Sequence, residues 1–330
     1  MTREPRPKRY PPPEFPPRRP ALFARTPPAI FPPILGFLGL ALAVRLALAR
    51  LGLDTGPGEL VAGLAVALWL FGAVAYLGKV IRRPGVVVED LRVLPGRSGL
   101  AALTMGGMIA ATLVSTHAAG VGAVVLLAAL VGHAVVAVLL VRLLASLPPE
   151  ARAVNPTLHL SFVGFIVAAP AALAQGWSGL AEFLFWITLP VAVAIWGLSL
   201  RQFAHSVPPA PLRPLLAIHL APAALLGTTA ALLAKPELAV MLAGLGLVYA
   251  VVLAAYGRWL IESGISAMWG AFTFPVAALA SALMVTGGTW LWPGVVLTAV
   301  ALGVIPAILW WVLKRWPGGK LAAVTNAAEA

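Results

Sequence analysis

Long apolar stretches follow one another along this 330-residue chain, and short breaks rich in glycine, proline or charged residues separate them. Each stretch has about 20 residues, which is the length that an α-helix needs to cross the hydrocarbon core of a bilayer. A soluble protein could not bury so much apolar surface, so the pattern predicts an all-α polytopic membrane protein. The ten predicted transmembrane helices comprise residues 30–49, 59–80, 99–117, 121–144, 157–174, 179–201, 213–234, 238–260, 265–286 and 291–313.

The breaks between the predicted helices are of two kinds. Those that follow odd-numbered helices are tight, as at 118–120 and 235–237, whereas those that follow even-numbered helices are longer, up to the segment 82–98. Tight connections force consecutive helices to pack antiparallel. The sequence therefore predicts five tandem helical hairpins, each of which enters and leaves the bilayer on the same side.

Composition and charge agree with this class. Hydrophobic residues make up 61% of the chain, charged residues 10%, and the mean hydropathy is +0.95. Most of the 23 lysines and arginines lie in the N-terminal segment or in the connections between hairpins. By the positive-inside rule we expect both termini in the cytoplasm, in a bacterial-type plasma (inner) membrane. The net charge of +12 thus indicates topology, with the lipid bilayer as partner and no nucleic acid.

The chain divides into three predicted parts. Residues 1–28 are rich in proline and arginine and are expected to form a disordered basic cytoplasmic tail, followed by a transmembrane domain at 29–316 and a short, frayed cytoplasmic tail at 317–330. The basic tail is open to two interpretations. It attracts anionic lipid headgroups, or it is a solvated segment that only fixes the topology.

Little in the sequence indicates catalysis. There is no cysteine, and GxSxG, HExxH, paired-carboxylate and phosphate-binding motifs are missing. We therefore predict no enzyme activity, no metal site and no cofactor. Proton-coupled carriers normally use a deep carboxylate or a histidine relay, whereas Glu182, near an outer helix end, is the sole acidic residue inside a predicted span apart from Glu59, the first residue of the second span. This shortage favours a passive conduit.

Glycine or proline falls near the midpoint of every odd-numbered helix. Helix-breaking residues at membrane depth are tolerated where the freed backbone meets water, a neighbouring helix or a substrate, so these positions are candidates for a pore wall. They could equally be small-residue packing contacts. The candidate pore-lining or kink residues are Gly36, Gly39, Gly106, Gly107, Gly164, Pro222 and Pro275.

Arg45 and His133 are further ionisable residues inside predicted spans. Arg45 lies near the outer end of the first helix, at a depth similar to Glu182, so the two could form an ion pair. Alternatively Arg45 extends to the headgroups, or it attracts anions. His133 is central in the fourth helix and is interpreted as a packing or oligomer contact.

A polar group opens the fifth helix from the cytoplasmic side. Asn155 before Pro156 is a plausible N-cap, and the group, with His159, could belong to a pore mouth because helix N-termini attract anions. His219, two turns into the seventh helix, could face the same pore. A well-made helix start and a histidine bonded to backbone are the alternatives.

Phe274 and Pro275 lie at the midpoint of the ninth helix. Proline bends a helix and could direct the preceding ring towards a central axis. An apolar ring across a narrow pore blocks ions by dewetting it. The alternative is a phenylalanine that faces lipid or the protein core.

Four segments resemble the tellurite-resistance/dicarboxylate transporter (TDT) family, whose relatives include the plant slow anion channels. They lie in the same order on odd-numbered helices, and the resemblance covers essentially the whole membrane domain. One departure is Val44, where the family usually has tryptophan before the helix-one arginine; the basic tail also lacks the Ser/Thr-rich character that kinase control would need. The segments are 31–45, 155–164, 219–227 and 269–282.

The resemblance implies a quasi-fivefold ring in which odd-numbered helices line a central pore and even-numbered helices form an outer layer. It also implies homotrimers with one pore per protomer. Phe274 would occlude the pore at the midplane, Gly36 or Gly39 would leave room for its ring, and Pro222 and Pro275 would kink their helices.

On these grounds we expect a passive anion channel that conducts small anions such as chloride and nitrate. Selectivity would come from a positive field, helix dipoles and hydroxyl or backbone donors, without a tight charged site. The alternative is a secondary transporter for C4-dicarboxylate, tellurite or sulfite, which would show saturable flux and a coupled ion.

Overall fold

A computed structural model describes residues 21–148 and 152–330, and these residues form helices and turns without a β-strand. Nine helices in this part are long and apolar enough to cross a membrane, so the protein is an integral membrane protein. These nine spans are Pro28–Arg50, Gly56–Arg82, Leu94–Ser115, Ala119–Ser146, Ser178–His205, Ala210–Leu232, Pro236–Ala255, Ala267–Thr286 and Gly288–Leu313.

Thirteen α-helices are present in the described residues. We number them α1 Phe31–Arg50, α2 Gly56–Arg82, α3 Val86–Arg92, α4 Leu94–Ser115, α5 Ala119–Ser146, α6 Ala169–Ala174, α7 Ser178–His205, α8 Leu220–Leu232, α9 Pro236–Ala255, α10 Gly257–Leu260, α11 Thr273–Thr286, α12 Leu291–Leu313 and α13 Lys320–Val324. Several begin with 3₁₀ turns, which comprise Pro28–Ile30, Ala210–His219, Ala267–Phe272, Gly288–Trp290 and Pro317–Gly319.

The predicted fifth helix differs from a regular span. It is a shorter apolar helix, His159–Ala174, in which a π-helical turn, a 3₁₀ stretch and α6 follow one another. The backbone approaches a neighbouring helix where the winding changes, since a Cβ on Gly164 would lie 2.9 Å from the His133 ring. A regular α-helical winding expected from hydropathy alone is therefore wrong for this segment.

The spans form two layers. The inner layer consists of α1, α4, the segment His159–Ala174, and the spans ending in α8 and α11; the outer layer consists of α2, α5, α7, α9 and α12. In the four inner spans 67–72% of the most apolar window is buried, against 22–33% in the outer helices. Each inner segment thus contacts protein on most sides, whereas each outer helix leaves a broad apolar face free.

Contacts between the layers follow the chain. Each inner segment packs against the outer helix that follows it, in agreement with antiparallel hairpins. Each outer helix also contacts the next inner segment, and α12 contacts α1. Among the inner segments, α1 contacts α4 and α11, α8 contacts α11, and His159–Ala174 contacts α4 and α8.

Both described ends of the chain pack against the rest of the protein. Ala24 and Thr26 are fully buried, and Leu321 on α13 is too. The backbone N–H of Ala330 donates to the carbonyl of Ala24 (3.1 Å). Residues 21–28 and 317–330 therefore pack against each other; residues 1–20 of the predicted basic tail lie outside the described part.

A buried ion pair explains this packing. Lys79 Nζ lies 2.8 Å from Asp90 Oδ2, and neither side chain is exposed. Lys79 also donates to the carbonyl of Thr26 (3.2 Å), Tyr76 donates to Asp90 (2.8 Å), and the N–H of Ala328 donates to Asp90 Oδ1 (2.8 Å). Buried charges need partners on every side, so the two described ends complete a site that α2 and α3 begin.

Candidate functional site

The five inner segments meet at one cavity of about 30 Å³. Its wall includes at least one residue from the first half of each segment, so all five begin on the same face of the molecule, which we call the inner-layer N-terminal face. None of the residues that line this cavity is charged. The lining residues include one representative from each segment, and also Pro275: Leu35, Ala102, Leu160, Ile218, Phe274 and Pro275.

Phe274 lies where α1 and α11 are in close contact. Its side chain is 4% exposed and contributes to the cavity wall. A Cβ on Gly39 would lie 3.1 Å from Phe274 Cδ2, so the ring rests on the bare backbone of α1. A Cβ on Gly36 would collide with Thr273 and lie 3.0 Å from Phe274 N. The two glycines therefore permit the contact, and Gly39 is the one that accommodates the ring.

Thr273 fixes the start of α11 against α1. Its hydroxyl donates to the carbonyl of Gly270 (2.7 Å) and lies 3.1 Å from the carbonyl of Pro32 on α1. Thr273 is fully buried, so these contacts satisfy a hydroxyl that would otherwise destabilise the core. The anchor immediately precedes Phe274, whose ring contacts Gly39 on the same helix α1.

Pro222 and Pro275 mark a change of winding. Each is the third residue of its α-helix, α8 or α11, directly after a 3₁₀ stretch. A proline there removes no α-helical hydrogen bond, because the first N–H groups of a helix have no intrahelical acceptor. Pro275 lines the first cavity, and Pro222 lines a second cavity of about 10 Å³ together with Gly164 and His159.

Leu160 lines both cavities and is 7% exposed. The second cavity is therefore next to the first, on the side of the fifth and seventh segments. About 10 Å³ is roughly the room that one water molecule requires.

Gly106 and Gly107 do not lie where a pore wall was predicted. A Cβ on Gly106 would meet the Trp69 ring of α2 at 2.7 Å, and a Cβ on Gly107 would meet Ala129 of α5 at 2.9 Å. Both glycines thus let outer helices approach α4. Trp69 Nε1 donates to the carbonyl of Leu103 (2.9 Å), which fixes the same contact. The prediction is corrected for these two residues to the packing alternative.

Arg45 has protein partners near the far end of α1. Its Nε lies 2.9 Å from Glu59 Oε1 on α2, and Nη2 lies 3.3 Å from Thr116 Oγ1. The hypothetical pair with Glu182 is wrong, since Glu182 pairs with Lys235 (3.0 Å). A guanidinium that is already neutralised is a poor attractor of anions.

The structure brings together two of the polar candidates. His159 Nε2 lies 2.9 Å from His219 Nδ1, and both residues are buried. Asn155 Oδ1 accepts from the N–H of Thr157 (3.1 Å), in agreement with a role at the helix start. Sequence reasoning named both histidines but not their contact, because 60 residues separate them and two irregular segments set their orientation.

His133 packs inside its own chain. The ring is fully buried, Nδ1 lies 2.7 Å from Thr104 Oγ1, and Phe165 stacks edge-on at 4.5 Å. It is a packing residue between α4, α5 and the fifth segment. In the described part of the chain no group of three or more His, Asp or Glu side chains is arranged to hold a metal ion.

Comparison with known proteins assigns a family. The model of a family described as "Voltage-dependent anion channel" (SLAC1) matches residues 25–314, which include every inner and outer helix. Among curated proteins none matches the chain.

Proposed function

The chain belongs to the voltage-dependent anion channel family, and on that premise we propose that it is a passive channel for small anions, closed by Phe274. The family consists of channels and transporters of anions rather than enzymes. The observation that carries the proposal is the position of the Phe274 ring, which lies on Gly39 at the wall of a cavity lined by all five inner segments.

The proposed pore follows the axis of the inner layer. In this proposal His159–Ala174 is the fifth of ten transmembrane helices, and the inner segments form a quasi-fivefold ring. The order of contacts among the inner segments supports the ring, as does the difference in burial between the layers. Shortness of the fifth helix is compatible with a span, because protein surrounds its irregular backbone.

The proposed orientation places the inner-layer N-terminal face in the cytoplasm of a cell with a bacterial-type plasma membrane. The excess of lysine and arginine in the connections on that side supports it. Homotrimers with one pore per protomer complete the proposal, and mass measurement of the detergent-solubilised protein tests them.

Weak binding explains why a channel is preferred to a carrier. The cavity wall has no charged side chain, so no residue there offers a C4-dicarboxylate, tellurite or sulfite ion a fixed counter-charge. Rapid conduction requires weak binding, and a monovalent anion such as chloride or nitrate loses less hydration energy than a divalent one. The cavity therefore suits small monovalent anions.

Replacement of the ring tests the gate. In liposomes containing the purified protein, Phe274→Ala is expected to raise chloride conductance by at least about tenfold, because the ring no longer dewets the axis. The matched control is Phe185→Ala, which removes a fully buried ring from α7 in the outer layer. Equal conductance of parent and folded Phe274→Ala, or an equal rise in the control, would refute the gate.

A proton gradient separates channel from carrier. With equal chloride on both sides of the vesicle membrane, an imposed pH gradient should produce no concentrative uptake through a channel. Concentrative, saturable uptake would instead establish the carrier alternative.

A further inference from the structure

Two buried imidazoles share one hydrogen bond between the fifth and seventh segments. His159 Nε2 and His219 Nδ1 lie 2.9 Å apart, with the ring planes at 84°. A contact of this kind needs one proton between two nitrogens, so one ring donates and the other accepts. Each ring keeps one further nitrogen, and His159 Nδ1 has no hydrogen-bond partner among residues 21–148 and 152–330, although the residue is 2% exposed.

The pair lies beside the proposed pore. His159 lines the second cavity, and the next residue, Leu160, lines both cavities. Among the residues that line the two cavities, His159 is the one with an ionisable side chain. The pair is therefore the titratable group that adjoins the cavities.

The other residues around His159 and His219 are aromatic or already form hydrogen bonds. From α7, Trp196 stacks on His159 (5.7 Å) and donates to the carbonyl of His219 (3.1 Å); from α9, Tyr249 stacks edge-on against His219 (6.4 Å) and donates to the carbonyl of Leu216 (3.1 Å). From α4, Met105 joins the cavity wall.

Several titratable groups lie on the elements around the pair. The buried Arg97 on α4 donates to the carbonyl of Leu91 (3.3 Å), Glu182 on α7 pairs with Lys235, and Arg142, Arg201, His205 and Glu237 are exposed. Three more, on α5, on the seventh segment and on α9, each have their own partner. His133 on α5 contacts Thr104. Arg213, on the same segment as His219, lies over the Trp259 ring and bonds to Glu262 on the side of α10. Tyr249 is the third, with its hydroxyl on a backbone carbonyl. Among the described residues, none of these groups forms an ion pair with His159 or His219.

We propose that His159 and His219 form a proton-binding site, and that the proton taken up there supplies the positive charge that retains a small anion in the adjoining cavity. This rests on the proposed anion pathway. One proton from water adds to the free ring nitrogen of the pair; no covalent bond between heavy atoms breaks, and the shared N–H···N bond persists with a net charge of +1. A second proton would place two N–H groups against each other and disrupt the contact.

Proton and anion then bind cooperatively. An anion beside the pair stabilises the imidazolium through a low-dielectric wall, and the imidazolium stabilises the anion equally, since coupling between two sites is reciprocal. Acid on the cytoplasmic side should therefore increase anion occupancy and flux.

The expected pH dependence is tested by measuring anion flux through the Phe274→Ala variant, which is expected to conduct. In Phe274→Ala liposomes, chloride flux is expected to rise at least about fivefold between about pH 7.5 and about pH 5.5. Adding His159→Gln or His219→Gln, which keep hydrogen-bonding capacity without the titratable ring, should flatten the profile. His133→Gln is the matched control, because it removes an equally buried histidine outside the pair, and it should leave the profile unchanged.

A direct measurement needs neither the variant background nor conduction. Adding chloride to the unsubstituted protein in weakly buffered detergent solution near pH 6 should cause uptake of about one proton per protomer, and His159→Gln should abolish it. Failure of the parent to take up protons, or a flux profile that stays steep in both glutamine variants, would overturn the proton site. Loss of conduction by Phe274→Ala at every pH would instead overturn the proposed gate and leave proton uptake intact.

Discussion

The inner and outer layers of the molecule reverse the relation between hydropathy and burial that soluble proteins show. Every outer helix among the nine spans has a higher mean hydropathy than any inner span, yet the outer helices are the exposed ones. In a bilayer the apolar solvent is the lipid, so the most apolar helices face outwards. The less apolar inner segments include Gly36, Gly39 and the His159–His219 pair, which pack closely inside the protein.

The layers also differ in winding. Four of the five inner segments start with a 3₁₀ or π stretch before they become α-helical, whereas four of the five outer helices start directly as α-helices, and α12 follows a single 3₁₀ turn. Proline alone does not cause this, since Pro190 and Pro306 lie inside the regular helices α7 and α12. Irregular backbone is tolerated inside because outer side chains bond to it, as Trp196 and Tyr249 do.

The outer helices are mostly exposed, but Lys79 on outer helix α2 is fully buried. The largest effect is expected when this residue is replaced. Lys79→Met leaves Asp90 charged and without its counter-ion, so the free energy of unfolding should fall by about 3–5 kcal/mol. Denaturation by SDS titration measures it. The matched control is Arg83→Met, which breaks an exposed pair with Glu89 and should cost less than about 1 kcal/mol. Comparable losses in the two variants would contradict the buried pair.

A lysine on the exposed face of an outer helix should have the next largest effect. Val131 on α5 is 65% exposed, and Val131→Lys should reduce insertion or stability by about 2.5–3.5 kcal/mol because the ammonium faces hydrocarbon. Val207, 57% exposed in the connection after α7, should accept the same change at little cost. Folded yield on size-exclusion chromatography compares them, and equal tolerance would mean that the α5 face does not meet lipid.

The smallest effect compares two glycines of one hairpin. Gly36→Ala forces a methyl group into Thr273 and should lower the free energy of unfolding by about 1–3 kcal/mol. Gly63→Ala on α2 meets no atom within 4 Å and should be neutral or stabilise the helix by up to about 1 kcal/mol. Thermal unfolding followed by circular dichroism decides, and a neutral Gly36→Ala would show that α1 and α11 can separate.

Hydropathy predicted the membrane class, the hairpins and nearly all spans because each depends on local composition. It did not predict which helices Gly106 and Gly107 face. A helical glycine has no side chain, and its neighbours depend on how the helix is rotated about its axis. Identification of Phe274 came from the resemblance rather than from composition, which favoured a phenylalanine that faces lipid or the protein core.

Contacts between distant segments were beyond sequence reasoning. Lys79 looked like a basic residue at a helix end, and its partner Asp90 lies on α3, a short helix whose position follows from tertiary packing. His159 and His219 come together through a π-helical turn and a 3₁₀ stretch that no propensity rule predicts. Packing of the segments 21–28 and 317–330 depends on the same buried carboxylate.

The contact between the Phe274 ring and Gly39 links two properties of the protein, the obstruction of ions and the packing of α1 against α11. The aromatic face that would obstruct ions is also the surface on which two neighbouring helices rest, so a displaced ring leaves a vacancy in the packing as well as an unobstructed route. Sequences selected for easier opening should therefore melt at lower temperature, unless another part of the protein compensates.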